Sequence, residues 1–292
     1  MCGIVGYIGE RQAEPILMEG LKRLEYRGYD SAGIALRQEN GQGRLLCVKT
    51  AGRISVLEKR LEEIDTSGTL GIAHTRWATH GGPTDQNAHP HTDMSGKLAV
   101  VHNGIIENYT ALKKLLQGEG VEFTSETDTE VLAHLFAKYY DGNIEKAVQM
   151  GLKEVTGAYG IAVVHADEPD VLVVARNGSP LIVGVGEREY IIASDASAII
   201  AHTPNVIYLE DGEMATLTRS GCRTTTVDAV PTVREVQQVE WSLEEIEKKG
   251  YDHFMAKEIY EQPESLANTL RGRLDKANGH IHLGGIVDFA RQ

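Results

Sequence analysis

Five short runs in this chain are apolar at every position: Leu98 to Val101, Ile161 to Val164, Val171 to Ala175, Leu181 to Val183 and Tyr190 to Ala193. A strand with one wet face alternates, so strands without alternation are covered on both faces. The second and third runs are joined by His165-Ala166-Asp167-Glu168-Pro169-Asp170, too short for a crossover helix, which predicts an antiparallel hairpin. Antiparallel strands buried on both sides call for stacked sheets under helices. Helical spacing supplies the covers, at Ile16, Leu17, Leu21 and Leu24, at Val131, Leu132, Leu135 and Phe136, and at Ile144, Val148 and Leu152. Alternation in Val206 to Thr218 reads as one more strand or hairpin.

The sequence turns polar from about Thr224 to Gln238, and a domain boundary is expected between residues 220 and 240. From Trp241 a charged helix is expected, with Ser242 and Glu245 as its capping box, and Pro263 breaks or kinks the helical stretch that follows. With 292 residues the chain exceeds ordinary single-domain size. The division is therefore residues 1–240 as the main domain and 241–292 as a helical connector.

Charge and cysteine usage exclude several classes. A net charge of −13, from 29 Lys and Arg against 42 Asp and Glu, opposes binding to a phosphate backbone, so no nucleic acid is expected. Cys2, Cys47 and Cys222 are odd in number, widely spaced and without Cys-x-x-Cys, which fits a reducing cytoplasm rather than a disulfide framework or thiolate metal site. No apolar run approaches the roughly 18 residues that span a bilayer, so no membrane is expected. Gly-x-Gly pairs at Gly41, Gly118 and Gly184 stop short of a dinucleotide fingerprint, and no cofactor is called for.

Cys2 follows Met1 directly. Removing Met1 would give one residue a thiol and a free amine, and the amine can serve as general base to its own nucleophile. Position alone also fits a small buried residue opening a strand. His74 to Pro83 follows the apolar strand Leu70 to Ala73 and reads as a ligand-binding loop, in which the Arg76 guanidinium can grip a carboxylate through two parallel bonds. A surface ion pair is the ordinary alternative. His74, His80, His89 and His91 match no zinc spacing, which favours loop hydrogen bonding over a metal.

Asn103-Gly104 fits a type I′ hairpin turn, or else an oxyanion hole made by the Asn103 amide and the Gly104 N–H. Asp128 fits a helix N-terminus with Thr127 and Glu130 as capping box, or else an ammonium site. Arg76 and Asp128 together would hold an amino-acid zwitterion whose side-chain amide reaches Cys2.

Five segments in order, Cys2 to Tyr7, Leu24 to Gly33, His74 to Gly81, His102 to Asn108 and Ser125 to Glu130, resemble the glutaminase domains of the glucosamine-6-phosphate synthase family. Lys257 to Pro263 is similar to that family's connector into its sugar-isomerase half. The resemblance implies an α+β fold, a four-layer αββα N-terminal-nucleophile sandwich of two mainly antiparallel sheets between helical layers. It implies Cys2 as nucleophile, Asn103 and Gly104 as oxyanion hole, and Arg76 and Asp128 as holders of the glutamine carboxylate and ammonium. Trp77, Thr79 and His80 would line a loop closing over the ligand, with Arg27 in support.

The implied partner is L-glutamine, with a homodimer in the full-length enzyme, and the isomerase half with its fructose 6-phosphate site is missing from the end of this chain. The chain by itself is then expected to make no glucosamine 6-phosphate. Two other readings stay open, an idle binding module that retains Met1 and the glutaminase half of another class II amidotransferase.

Overall fold

Each of the five uniformly apolar runs is a strand in the computed structural model, which describes residues 2–38, 43–78, 81–239, 251–270, 274–275 and 280–281. The chain divides into two compact units, Met1–Glu240 and Trp241–Gln292. In the first unit, β1 (Gly3–Ile8), β2 (Ser31–Arg37), β3 (Leu46–Ala51), β4 (Leu70–Arg76), β9 (Ile182–Val185), β10 (Tyr190–Ala193), β11 (Asn205–Tyr208) and β15 (Gln237–Gln238) form one sheet, in the order β15-β11-β9-β10-β1-β4-β2-β3. A second sheet holds β5 (His91–Thr92), β6 (Leu98–Ile106), β7 (Gly157–His165), β8 (Leu172–Asn177), β12 (Glu213–Thr218), β13 (Gly221–Thr226) and β14 (Pro231–Thr232), in the order β14-β13-β12-β8-β7-β6-β5. The β7 and β8 pair is the antiparallel hairpin that its short connection requires.

Three apolar clusters define four layers. Between the sheets, Ile4, Ile8 and Ile72 of the first meet Val101, Ala162, Val164 and Val174 of the second. The outer face of the first sheet, with Val5, Tyr7, Ile34 and Leu36, is covered by α1 (Ala13–Leu24) and α2 (Ile54–Leu61). The outer face of the second, with Leu98, Val100, Ile161 and Val163, is covered by α3 (Tyr109–Gly118), α4 (Glu130–Tyr139) and α5 (Ile144–Leu152). Adjacent residues of one strand serve different cores, which is why their runs do not alternate. The fold is thus the expected α+β sandwich of two antiparallel sheets between helical layers.

One local expectation is corrected and another narrowed. Val206 to Thr218 is neither a single strand nor a hairpin, because β11 pairs with β9 in the first sheet while β12 pairs with β8 and β13 in the second. Alternation reports that a segment is extended but not which sheet receives it. In the second unit, α6 (Phe254–Leu270) runs on through Pro263, so of a break or a kink there the break does not occur. A proline is tolerated in a helix where the lost bond and the ring are accommodated. Also in that unit, β16 (Leu274–Asp275) pairs antiparallel with β17 (His280–Ile281). The capping box expected at Ser242 and Glu245 lies outside the described residues. No described helix is long and apolar enough to cross a membrane.

Candidate active site

Cys2 stands at the head of β1, a strand central to its sheet and paired on one side with β4, where Gly3 faces Thr75. The Cys2 thiol is half-buried, and its Sγ accepts the Trp77 backbone N–H at 3.2 Å. Burial pushes the thiol pKa up, opposed by the Trp77 N–H and the nearby Arg76 charge. A thiol so placed needs a base before it attacks.

His74, Thr75 and Arg76 belong to β4 itself, so the expected binding loop begins three residues later than its sequence suggested. Arg76, the last residue of that strand, is 3% exposed. Its Nη1 and Nη2 donate to the Gly82 and Gly81 carbonyl oxygens at 3.3 and 3.4 Å, long for charge-assisted bonds. Burial pulls its pKa down while Cys2, Asp128 and Asp30 hold it up. Trp77 is 45% exposed and meets Tyr29 edge to face at 5.7 Å between centroids. Thr79 and His80 lie outside the described residues.

Asn103 and Gly104 do not make a turn. They sit inside β6, opposite Gly160 and Tyr159 of β7, and the strand runs on to Ile106. Asn103 Nδ2 donates to the Cys2 carbonyl oxygen at 3.2 Å, and its Oδ1 lies 2.8 Å from His74 Nε2. The capping box is also absent. Thr127 Oγ1 faces His91 Nε2 at 3.0 Å, and Glu130 accepts from Thr124 and Ser125 instead of from a cap position. Asp128 therefore precedes α4 rather than sitting in its first turn, and its Oδ2 accepts the Ile106 N–H at 2.8 Å.

Cys2, Arg76, Trp77, Gly104 and Asp128 line one cavity of about 30 Å³, together with His89, His102, Thr127 and Thr129. Thr129 Oγ1 joins the two rings, 2.9 Å from both His89 Nε2 and His102 Nδ1. Of the four histidines weighed in the sequence, His74, His89 and His91 hydrogen-bond Asn103, Thr129 and Thr127. Arg27 does not line the cavity; its Nη1 donates to Asp195 Oδ2 at 2.8 Å, beside Ser194, whose Oγ accepts the Ile4 N–H. Residue patterns gave no role to Thr129 or Asp30, yet Asp30 Oδ2 accepts the Ala78 N–H at 2.9 Å and steadies the segment after Arg76. The one available signal for Asp30 was its place in the Leu24 to Gly33 segment.

The chain belongs to the glutamine amidotransferase domain family, which matches it over residues 61–255, a stretch that begins after Cys2. It is 53% identical to the glutamine-fructose-6-phosphate aminotransferase (isomerizing) of Chlorobaculum tepidum over 99% of this chain and 48% of that protein. It is 51% identical to the protein of the same name from Thermus thermophilus, over 99% of this chain and 47% of the other. The chain thus spans about half the length of these relatives. Among solved structures, the glutamine phosphoribosylpyrophosphate amidotransferase of B. subtilis, complexed with ADP and GMP, superposes with a TM-score of 0.66 at 28% identity. That match covers 77% of this chain and 49% of that one.

Proposed function

We propose that this chain hydrolyses L-glutamine to glutamate and ammonia through a glutamyl thioester on Cys2. The observation that carries this reading is the convergence on one cavity of a thiol, a guanidinium and a carboxylate, from Cys2, Arg76 and Asp128. Arg76 takes the substrate carboxylate, a stronger acceptor than the carbonyls of Gly81 and Gly82 that it replaces. Asp128 takes the ammonium.

With Met1 removed, the Cys2 amine accepts the thiol proton and the thiolate attacks the side-chain amide carbon. The tetrahedral oxyanion is met by the Gly104 N–H and by Asn103 Nδ2. The amine returns its proton to the leaving nitrogen, ammonia departs, and water then hydrolyses the thioester. Arg27 supports the site through the Asp195 and Ser194 segment against β1. Trp77, Thr79 and His80 contribute the covering loop.

The names of the longer relatives support the further reading that ammonia made here passes to fructose 6-phosphate, giving glucosamine 6-phosphate, when a sugar-isomerase half is present. In that assembly the enzyme is a homodimer in the cytoplasm, where the free thiols of Cys2, Cys47 and Cys222 persist. Residues 1–240 form the glutaminase domain and 241–292 the connector.

Glutamate release by protein shown by intact mass to lack Met1 tests the reading. Release is expected with glutamine, not with asparagine, and none with Cys2→Ala. Release that survives Cys2→Ala would remove Cys2 from the mechanism. Calorimetric binding of glutamine without turnover would favour the idle module.

A further inference from the structure

The Asn103 carboxamide can satisfy its two neighbours in only one orientation. Its Nδ2 lies 3.2 Å from the Cys2 carbonyl oxygen and its Oδ1 lies 2.8 Å from His74 Nε2. Turned over, the amide would set Oδ1 against the Cys2 carbonyl, two acceptors with no proton between them. The observed orientation therefore requires a proton on His74 Nε2. His74 is fully buried in β4, two residues before Arg76, with its ring centroid 4.2 Å from that of His89. Burial keeps the ring neutral, with a pKa lowered to about 3, so it carries one proton.

We propose that His74 is a positioning residue whose Nε2–H, donated to Asn103 Oδ1, keeps the Asn103 Nδ2 group turned toward Cys2 as an oxyanion donor. The inference rests on the glutaminase reading given above. Asn103 lies on β6 and His74 on β4, so this bond ties the oxyanion donor in one sheet to the strand that delivers Arg76 in the other. His74 touches neither substrate nor thiol and acts through the amide it orients.

His74→Leu removes the donor, whereas His74→Gln sets a side-chain N–H where the imidazole Nε2–H stood. In the Met1-processed chain, His74→Leu is expected to lower kcat by about 10- to 100-fold, less than the roughly 100- to 1,000-fold of removing an oxyanion donor outright, with KM for glutamine little changed. His74→Gln recovers most of that loss. Alkylation of Cys2 by iodoacetamide passes through no oxyanion and is expected at the parent rate in both variants. A parent-like kcat in His74→Leu, or a loss confined to KM, would overturn the proposal.

Imidazole nitrogen shifts of the unsubstituted protein give a second test that needs no variant to fold. The Nε2–H tautomer of His74 is expected, and the Nδ1–H tautomer would mean that Asn103 is turned the other way. An inactive parent chain would count against the glutaminase reading, while the tautomer would still decide the orientation of Asn103.

Discussion

Gly104 holds a φ of +136° within a continuous ladder, and a Cβ there would stand 2.0 Å from the Ala158 carbonyl oxygen. Both the backbone strain and the approach demand glycine. Gly104→Ala is expected to cost about 2–4 kcal/mol of stability and to displace the N–H aimed at the oxyanion, checked by urea unfolding alongside kcat. Unchanged values in both would remove Gly104 from the site. The Asn103-Gly104 pair shows where local reading fails. The dipeptide is a good turn, and only the pairing of β6 with β7, some fifty positions on, holds it extended. Cys2, Arg76 and Asp128 each had a bland alternative in sequence, as a buried strand opener, a surface ion pair and a helix N-terminus, and what the sequence could not show is that the three line one cavity.

Helices were the most legible elements, since an apolar stripe with a 3.6-residue period needs only one covering surface to explain it. Their ends were less so. Thr127 and Glu130 have capping-box spacing, yet the Glu130 carboxylate receives the N–H and hydroxyl of Thr124 at 2.8 and 2.9 Å, and those of Ser125 at 2.7 and 2.6 Å. Burial pushes its pKa up, but His134, Ser125 and Thr124 more than offset this and hold the carboxyl well below its usual range. Glu130 thereby fastens the loop that delivers Asp128. Glu130→Ala is expected to cost about 2–4 kcal/mol and to raise KM for glutamine more than it lowers kcat, read from thermal unfolding and steady-state kinetics. A kcat effect alone would separate this anchor from substrate binding.

Across the whole molecule, His89 and His102 line the cavity, the rings of His74 and His91 pack against that of His89, and burial lowers the pKa of each. Arg76 adds to the lowering at His74, His89 and His91 and Lys49 at His91, while Glu130 opposes it at His91 and Asp128 at His102. The unfolded chain binds protons at these rings near pH 6.5 and the folded chain does not, so their contribution is complete above that pH and falls as pH drops toward about 3, the folded value for His74. Between pH 6.5 and 5.5, where carboxylates stay ionised, His74 alone costs about 1 kcal/mol, and His89, His91 and His102 act in the same direction. Urea midpoints at the two pH values measure it, and a flat profile would mean that the rings are charged in the fold.

The layer order was legible from the unalternating runs, because the burial of neighbouring side chains in different cores leaves its mark in composition. The assignment of β11 and β12 to opposite sheets was not, since each satisfies the same pattern in either place. One feature of that layering reaches the chemistry. The proposed nucleophile, Cys2, stands at the head of β1 of one sheet and the amide and glycine that would meet the oxyanion ride on β6 of the other, with Ile4, Ile72 and Val101 among the side chains between them. A slip of one sheet across the other by 1 Å is enough to cost a reaction about a hundredfold. Turnover in such a molecule is a micrometer set across its own interior, reporting loose packing between the sheets well before the chain unfolds.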